Sequence, residues 1–100
     1  MKTKISAIHF SADQKLVKFI EEKVNKLETF YDKIISAEAI LKVDQATDKE
    51  NKVVEIILAV PGKELFAKKT AKSFEEAVDS VVEALRRQIR KHKTKEIELV

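Results

Sequence analysis

The spacing of hydrophobic positions changes along this chain, and each change marks an element. Residues 3 to 10 alternate with period two: Thr3, Ile5 and Ala7 share one face, Ile8 and Phe10 the other. The pattern predicts a short strand that is covered on both sides or bends near its end. In "SADQ", Ser11 with Gln14 three residues later fits a capping box, and Asp13 is a rival N-cap. Leu16, Phe19, Ile20, Val24, Leu27 and Tyr31 then recur at helical spacing and predict a helix from about residue 13 to 31. From Ile34 the period returns to two. Ala37, Ala39, Leu41 and Val43 alternate with Glu38, Ile40, Lys42 and Asp44, a strand with one buried face. "QATDKEN" is polar and turn-like. "VVEIILAV" is dense in β-branched residues and predicts a third strand over 53 to 60. Pro61-Gly62 suits the middle of a type II turn, and "KELFAKKTA" returns as a fourth strand. Lys68 and Lys69 there fit an edge position guarded against further pairing. Ser73 and Glu76 open a last helix with a second capping box, and its apolar stripe is Phe74, Ala77, Val78, Val81, Val82, Leu85 and Ile89. The predicted order is β-α-β-β-β-α, an α+β fold with two helices packed on one face of a four-stranded, largely antiparallel sheet.

Composition narrows the function more than the fold. The chain has 100 residues, a single-domain length, with 44% hydrophobic and 37% charged residues. No run of about 18 apolar residues occurs, so no membrane span or membrane partner is expected. The N-terminus lacks the apolar core of a signal peptide, and with no cysteine the expectation is a cytoplasmic protein. One glycine rules out a glycine-rich phosphate loop. His9 and His92 stand near opposite ends, outside any metal-ligand spacing, and His92 reads as a surface or tail residue. Ser73 reads as a cap rather than a nucleophile, and Glu75 and Glu76 do not face one another on a helix. No enzyme, metal, cofactor or small-molecule substrate is expected.

The net charge of +3 is modest, but its distribution is not. In the last helix Glu75, Glu76, Asp79 and Glu83 precede Arg86, Arg87, Arg90, Lys91, Lys93 and Lys95. One or two cations in a last turn suffice to offset a helix dipole, so this concentration asks for another explanation. The first helix has a basic edge of its own, with Lys23 and Lys26 toward its end. Side by side, the two helices predict a basic groove for the phosphate rows of RNA. No aromatic residue interleaves with the cations, so backbone recognition rather than base stacking is expected. Two other readings fit the same residues: a module that docks on an acidic protein, and a free-standing double-stranded-RNA binder.

Leu85-x-Arg87-Gln88-Ile89-x-Lys91-His92-Lys93-x-Lys95 resembles the C-terminal helix signature of the ribosome hibernation promoting factors. That family also includes the ribosome-associated inhibitor and the sigma modulation proteins. "NKLETFYDKI" is similar to the end of the family's first helix, where Lys23 and Lys26 match basic positions. "AILKVD" is similar to its second strand, and Ala77-Val78-Asp79 to the Ala-Ile-Asp that starts its last helix. The chain departs where the family carries Asp-Met-Tyr and it has Ser73-Phe74-Glu75, which keeps the cap and loses the ring. The resemblance implies a domain shaped like double-stranded-RNA-binding domains. It implies binding of the small ribosomal subunit and its ribosomal RNA over the messenger and transfer RNA sites, silencing translation under stress. The RNA-binding residues by this resemblance would be Lys23, Lys26, Arg87, Lys91, Lys93 and Lys95, and the charge clustering of the last helix adds Arg86 and Arg90. The chain looks like a short form, monomeric off the ribosome, with the domain at 1–95 and a frayed tail at 96–100.

Overall fold

The computed structural model describes residues 1–46 and 49–98. Its elements are β1 (Lys2–Ala7), α1 (Gln14–Asn25), a 3₁₀ turn (Lys26–Thr29), β2 (Ser36–Val43), β3 (Lys52–Val60), β4 (Lys63–Ala71) and α2 (Phe74–Glu98). The strands form one sheet in the order β1-β2-β3-β4. β1 runs parallel to β2, as strands joined by a crossing helix must, and the other two pairings are antiparallel. β4 is thus an edge strand, as its lysines foretold.

The register brings the alternating apolar positions into rows. Ile5, Ala39, Ile56 and Ala67 face each other across all four strands, and Ala37, Leu58 and Leu65 form the next row. Both helices cover this face. Ile20, Val24 and Leu27 from the first helical segment and Val78, Val81, Leu85 and Ile89 from α2 are fully enclosed with the sheet residues. Each such side chain contributes about 1.5–3 kcal/mol relative to an exposed one. The other sheet face is held by ion pairs: Glu55 lies 3.1 Å from Lys42 and 3.6 Å from Lys68, and Lys4 lies 3.9 Å from Glu38.

The local chemistry resolves several choices. β1 stops at Ala7, and His9 adopts φ 64°, so the strand bends rather than burying a second face. Asp13 caps α1, its carboxylate accepting from the Leu16 amide at 2.8 Å; Asp13, and not Ser11, therefore satisfies the orphan donor. Ser73 caps α2 as expected, its hydroxyl accepting from the Glu76 amide at 3.1 Å. Gly62 has φ 86°, the value a type II turn requires after proline. The first helix is shorter than its apolar stripe: α-helical geometry ends at Asn25 and tightens to a 3₁₀ turn. Leu27 and Tyr31 still reach the core beyond that point. α2 continues through Glu98, past the boundary expected at residue 95; residues 99 and 100 of the expected tail lie outside the described residues, as do 47 and 48 of the loop after β2.

Candidate nucleic-acid interface

The two helices run in the same direction. Phe10, just before α1, stacks on Phe74 with ring centroids 5.3 Å apart. Further along, Lys23 meets Asp79 at 3.5 Å, and after the 3₁₀ turn Phe30 meets Arg86. Tyr31 then packs edge-to-face on His92 at 5.5 Å. The first helix therefore lies along the acidic first half of α2, and the 3₁₀ turn lies along its basic second half.

This arrangement separates the expected RNA-binding residues. Lys23 is half-buried, sits over the Phe19 ring at 5.4 Å and pairs with Asp79. It stands opposite acidic residues, roughly 10 Å along the helix from Arg86 at 1.5 Å per residue. Lys26 is exposed and opens the turn that carries Thr29 and Phe30. Arg86, Arg90 and Lys93 form the flank of α2 that faces this turn, around a cleft shared with Thr29, Phe30, Ile89 and Thr94. Lys93 reaches across it, its ammonium donating to the Phe30 carbonyl at 2.7 Å. Lys91 and Lys95 lie on the opposite flank with Gln88, beside Lys63 and Leu65 of β4. Arg87 is exposed between the two flanks. The cations are thus arranged as a ridge with two basic sides, where a single groove between helices was expected. Gln88 ties the ridge to the sheet edge by donating to the Phe66 carbonyl at 2.7 Å.

Two expectations need correction. His92 is 8% exposed and packs on Tyr31, so it is a core residue and not a surface or tail one. It lies three residues beyond Ile89 on the same helix face, and the apolar stripe simply continues through it. An aromatic residue does interleave with the cations: the Arg86 guanidinium sits 4.1 Å over the ring of Phe30, which is 38% exposed. The signal was present in the sequence. Tyr31 belongs to the buried stripe, so the adjacent Phe30 must point elsewhere. Lys63 carried no such signal, because its position beside α2 depends on how the helix crosses β4. Glu75, where the family has an aromatic ring, is exposed in the first turn of α2, in its acidic half.

The chain matches the family model described as Sigma 54 modulation protein / S30EA ribosomal protein over residues 3–97. It is similar to the ribosome hibernation promoting factor of Pseudomonas putida, 33% identical over 100 residues that cover 100% of this chain and 94% of that protein. Against the factor of the same name from Escherichia coli it is 30% identical over 95 residues, 95% of this chain and 96% of the relative. In fold it is similar to a ribosomal subunit interface protein from Coxiella burnetii, with TM-score 0.84 and 19% identity over 94% of this chain and 99% of that one. The Thermus thermophilus Protein Y N-terminal domain gives TM-score 0.79 and 18% identity over 92% and 99%. With the match running along nearly the whole sequence, the chain belongs to the sigma 54 modulation protein / S30EA ribosomal protein family.

Proposed function

We propose that this protein is a ribosome hibernation factor: it binds the small ribosomal subunit and idles translation in slow or stressed growth. The observation that carries the reading is the cationic ridge of α2. Arg86, Arg90 and Lys93 face one way, Lys91 and Lys95 the other, and Arg87 stands between them. A helix charged on both flanks suits a cleft of folded RNA, where phosphate rows lie on either side; a flat anionic surface would engage one flank only. The relatives carry the name ribosome hibernation promoting factor, which supports ribosomal RNA as that polyanion. The same shape supports binding in the channel of messenger and transfer RNA, since an RNA-walled channel would offer opposed phosphate rows. Binding, not a chemical reaction, is the activity, and its place is the cytoplasm.

Sedimentation through sucrose tests this. The chain is expected to comigrate with purified small subunits and to be displaced when the subunits are first loaded with messenger and transfer RNA. Migration at the top of the gradient would refute ribosome binding and favour an acidic protein partner. Comigration that preloading leaves unchanged would refute the channel.

A further inference from the structure

We propose that Phe30 and Arg86 form a stacking platform for an unpaired RNA base, so that the interface holds a splayed nucleotide as well as phosphates. The proposal rests on the RNA-binding reading and adds a base-binding site to it. Phe30 follows the 3₁₀ turn and is 38% exposed, while the adjacent Tyr31 is buried. Its backbone is fixed from two sides. The Phe30 amide donates to the Leu27 carbonyl at 3.1 Å, and its carbonyl accepts from Lys93 at 2.7 Å. The Arg86 guanidinium covers the ring at 4.1 Å and is itself exposed. Aromatic rings and guanidinium planes are the two side-chain surfaces on which unstacked bases settle.

The surroundings fit a nucleotide. The cleft beside the ring has a volume of about 380 Å³, within the range of small-ligand sites, and Ile89 supplies an apolar wall. Arg90 and Lys93 stand at the same cleft to neutralise the phosphate that travels with the base. Thr29 and Thr94 line it with hydroxyls whose hydrogens already serve the Lys26 and Arg90 carbonyls, at 2.6 Å and 3.0 Å. Both oxygens therefore offer acceptor capacity to a base amine. Because the Phe30 backbone is held and Arg86 lies over the ring before any ligand arrives, the ordering cost of binding is reduced.

The test compares a labelled single-stranded oligoadenylate with an abasic ribose-phosphate strand of equal length, by fluorescence anisotropy. Wild-type protein is expected to bind the oligoadenylate more tightly. Phe30→Leu is expected to weaken that binding at least about fivefold, the lower end of what loss of one base stack costs, and to leave the abasic strand unaffected. Phe30→Tyr should retain the affinity. The chain has no tryptophan, so Phe30→Trp adds a lone indole whose emission oligoadenylate should quench and the abasic strand should not. Equal wild-type affinity for the two strands would overturn the proposal. So would a Phe30→Leu loss of the same size on both, which would mean that the ring only positions Arg86. Unaltered thermal melting of each variant guards against misfolding. Sedimentation of the wild type with small subunits reads the ribosome hypothesis separately.

Discussion

Two basic flanks on one helix make a quantitative prediction about salt. Arg86, Arg87, Arg90, Lys91, Lys93 and Lys95 are all exposed. If each neutralises one phosphate, the logarithm of affinity for the small subunit falls with the logarithm of salt at a slope of about −0.9 per contact. Six contacts give a loss on the order of a thousandfold between ~50 and ~200 mM salt. Arg90→Gln removes a cation from the flank facing the 3₁₀ turn, and Lys91→Gln removes one from the flank facing β4. Each should flatten the slope by about 0.9, so the loss over the fourfold salt interval shrinks about 3.5-fold. Together they should shrink it about 12-fold. Both side chains are exposed, so stability should change by no more than about 0.5 kcal/mol. Lys49→Gln with Lys52→Gln, near the loop between β2 and β3, removes the same formal charge away from the ridge. The assay is filter binding of labelled protein to purified small subunits at several salt concentrations. A Lys91→Gln slope equal to wild type, beside a flattened Arg90→Gln slope, would refute the two-sided ridge and restore a single groove. Equal flattening by the control pair would mean that net charge alone governs binding.

Two further outcomes test the fold. Leu85→Asp places an unpaired charge at a position with 0% exposure, against the sheet, and should cost several kcal/mol; a cooperative thermal melt near the wild-type temperature, followed by circular dichroism, would contradict the assigned helix face. Asp13→Ala should cost about 1 kcal/mol and lower the melting temperature by roughly 4–8 °C, whereas Ser11→Ala should leave it within a degree or so of the wild type, since the Asp13 carboxylate is the acceptor for the Leu16 amide in the first turn of α1.

Most of the architecture was legible because local and tertiary demands agree. The period-two stretches at Ala37–Leu41 and Val54–Val60 are strands whose inward residues meet in register, and the Pro61-Gly62 turn sets that register between β3 and β4. Ser73 was readable as a cap because its partner amide lies three residues away. What escaped reading depends on contacts between distant segments. The end of α1 at Asn25 has no glycine or proline to announce it; the chain tightens there while Leu27 and Tyr31 keep their places in the core. His92 looked like part of a charged tail because its neighbours are Lys91 and Lys93, yet Tyr31 draws it into the interior. The eight candidate cations were identifiable as a group by type and spacing. Their division into a Lys23–Asp79 pair, one flank beside Phe30 and another beside Lys63 follows from the direction in which the helices cross, which no single stretch encodes.

The parallel pairing of β1 with β2 bears on how the chain acquires this shape. β3 and β4 close over the two-residue Pro61-Gly62 turn, a contact between near neighbours that is expected to form early. β1 must wait for Ser36 and the residues after it, with the whole of α1 between them. Chain closure over that distance is expected to be the slower step, because its entropy cost precedes any reward from contacts. The topology thus predicts that β1 docks on β2 after the β3–β4 hairpin has closed, an order that pulse-labelling hydrogen exchange during refolding would test. α2 supplies much of the layer that covers the sheet core, so a nascent chain interrupted before Phe74 leaves Val54, Ile56, Leu58 and Leu65 without that cover. The cationic ridge and the lid of the core are the same helix, so the ridge takes its shape only as the core closes.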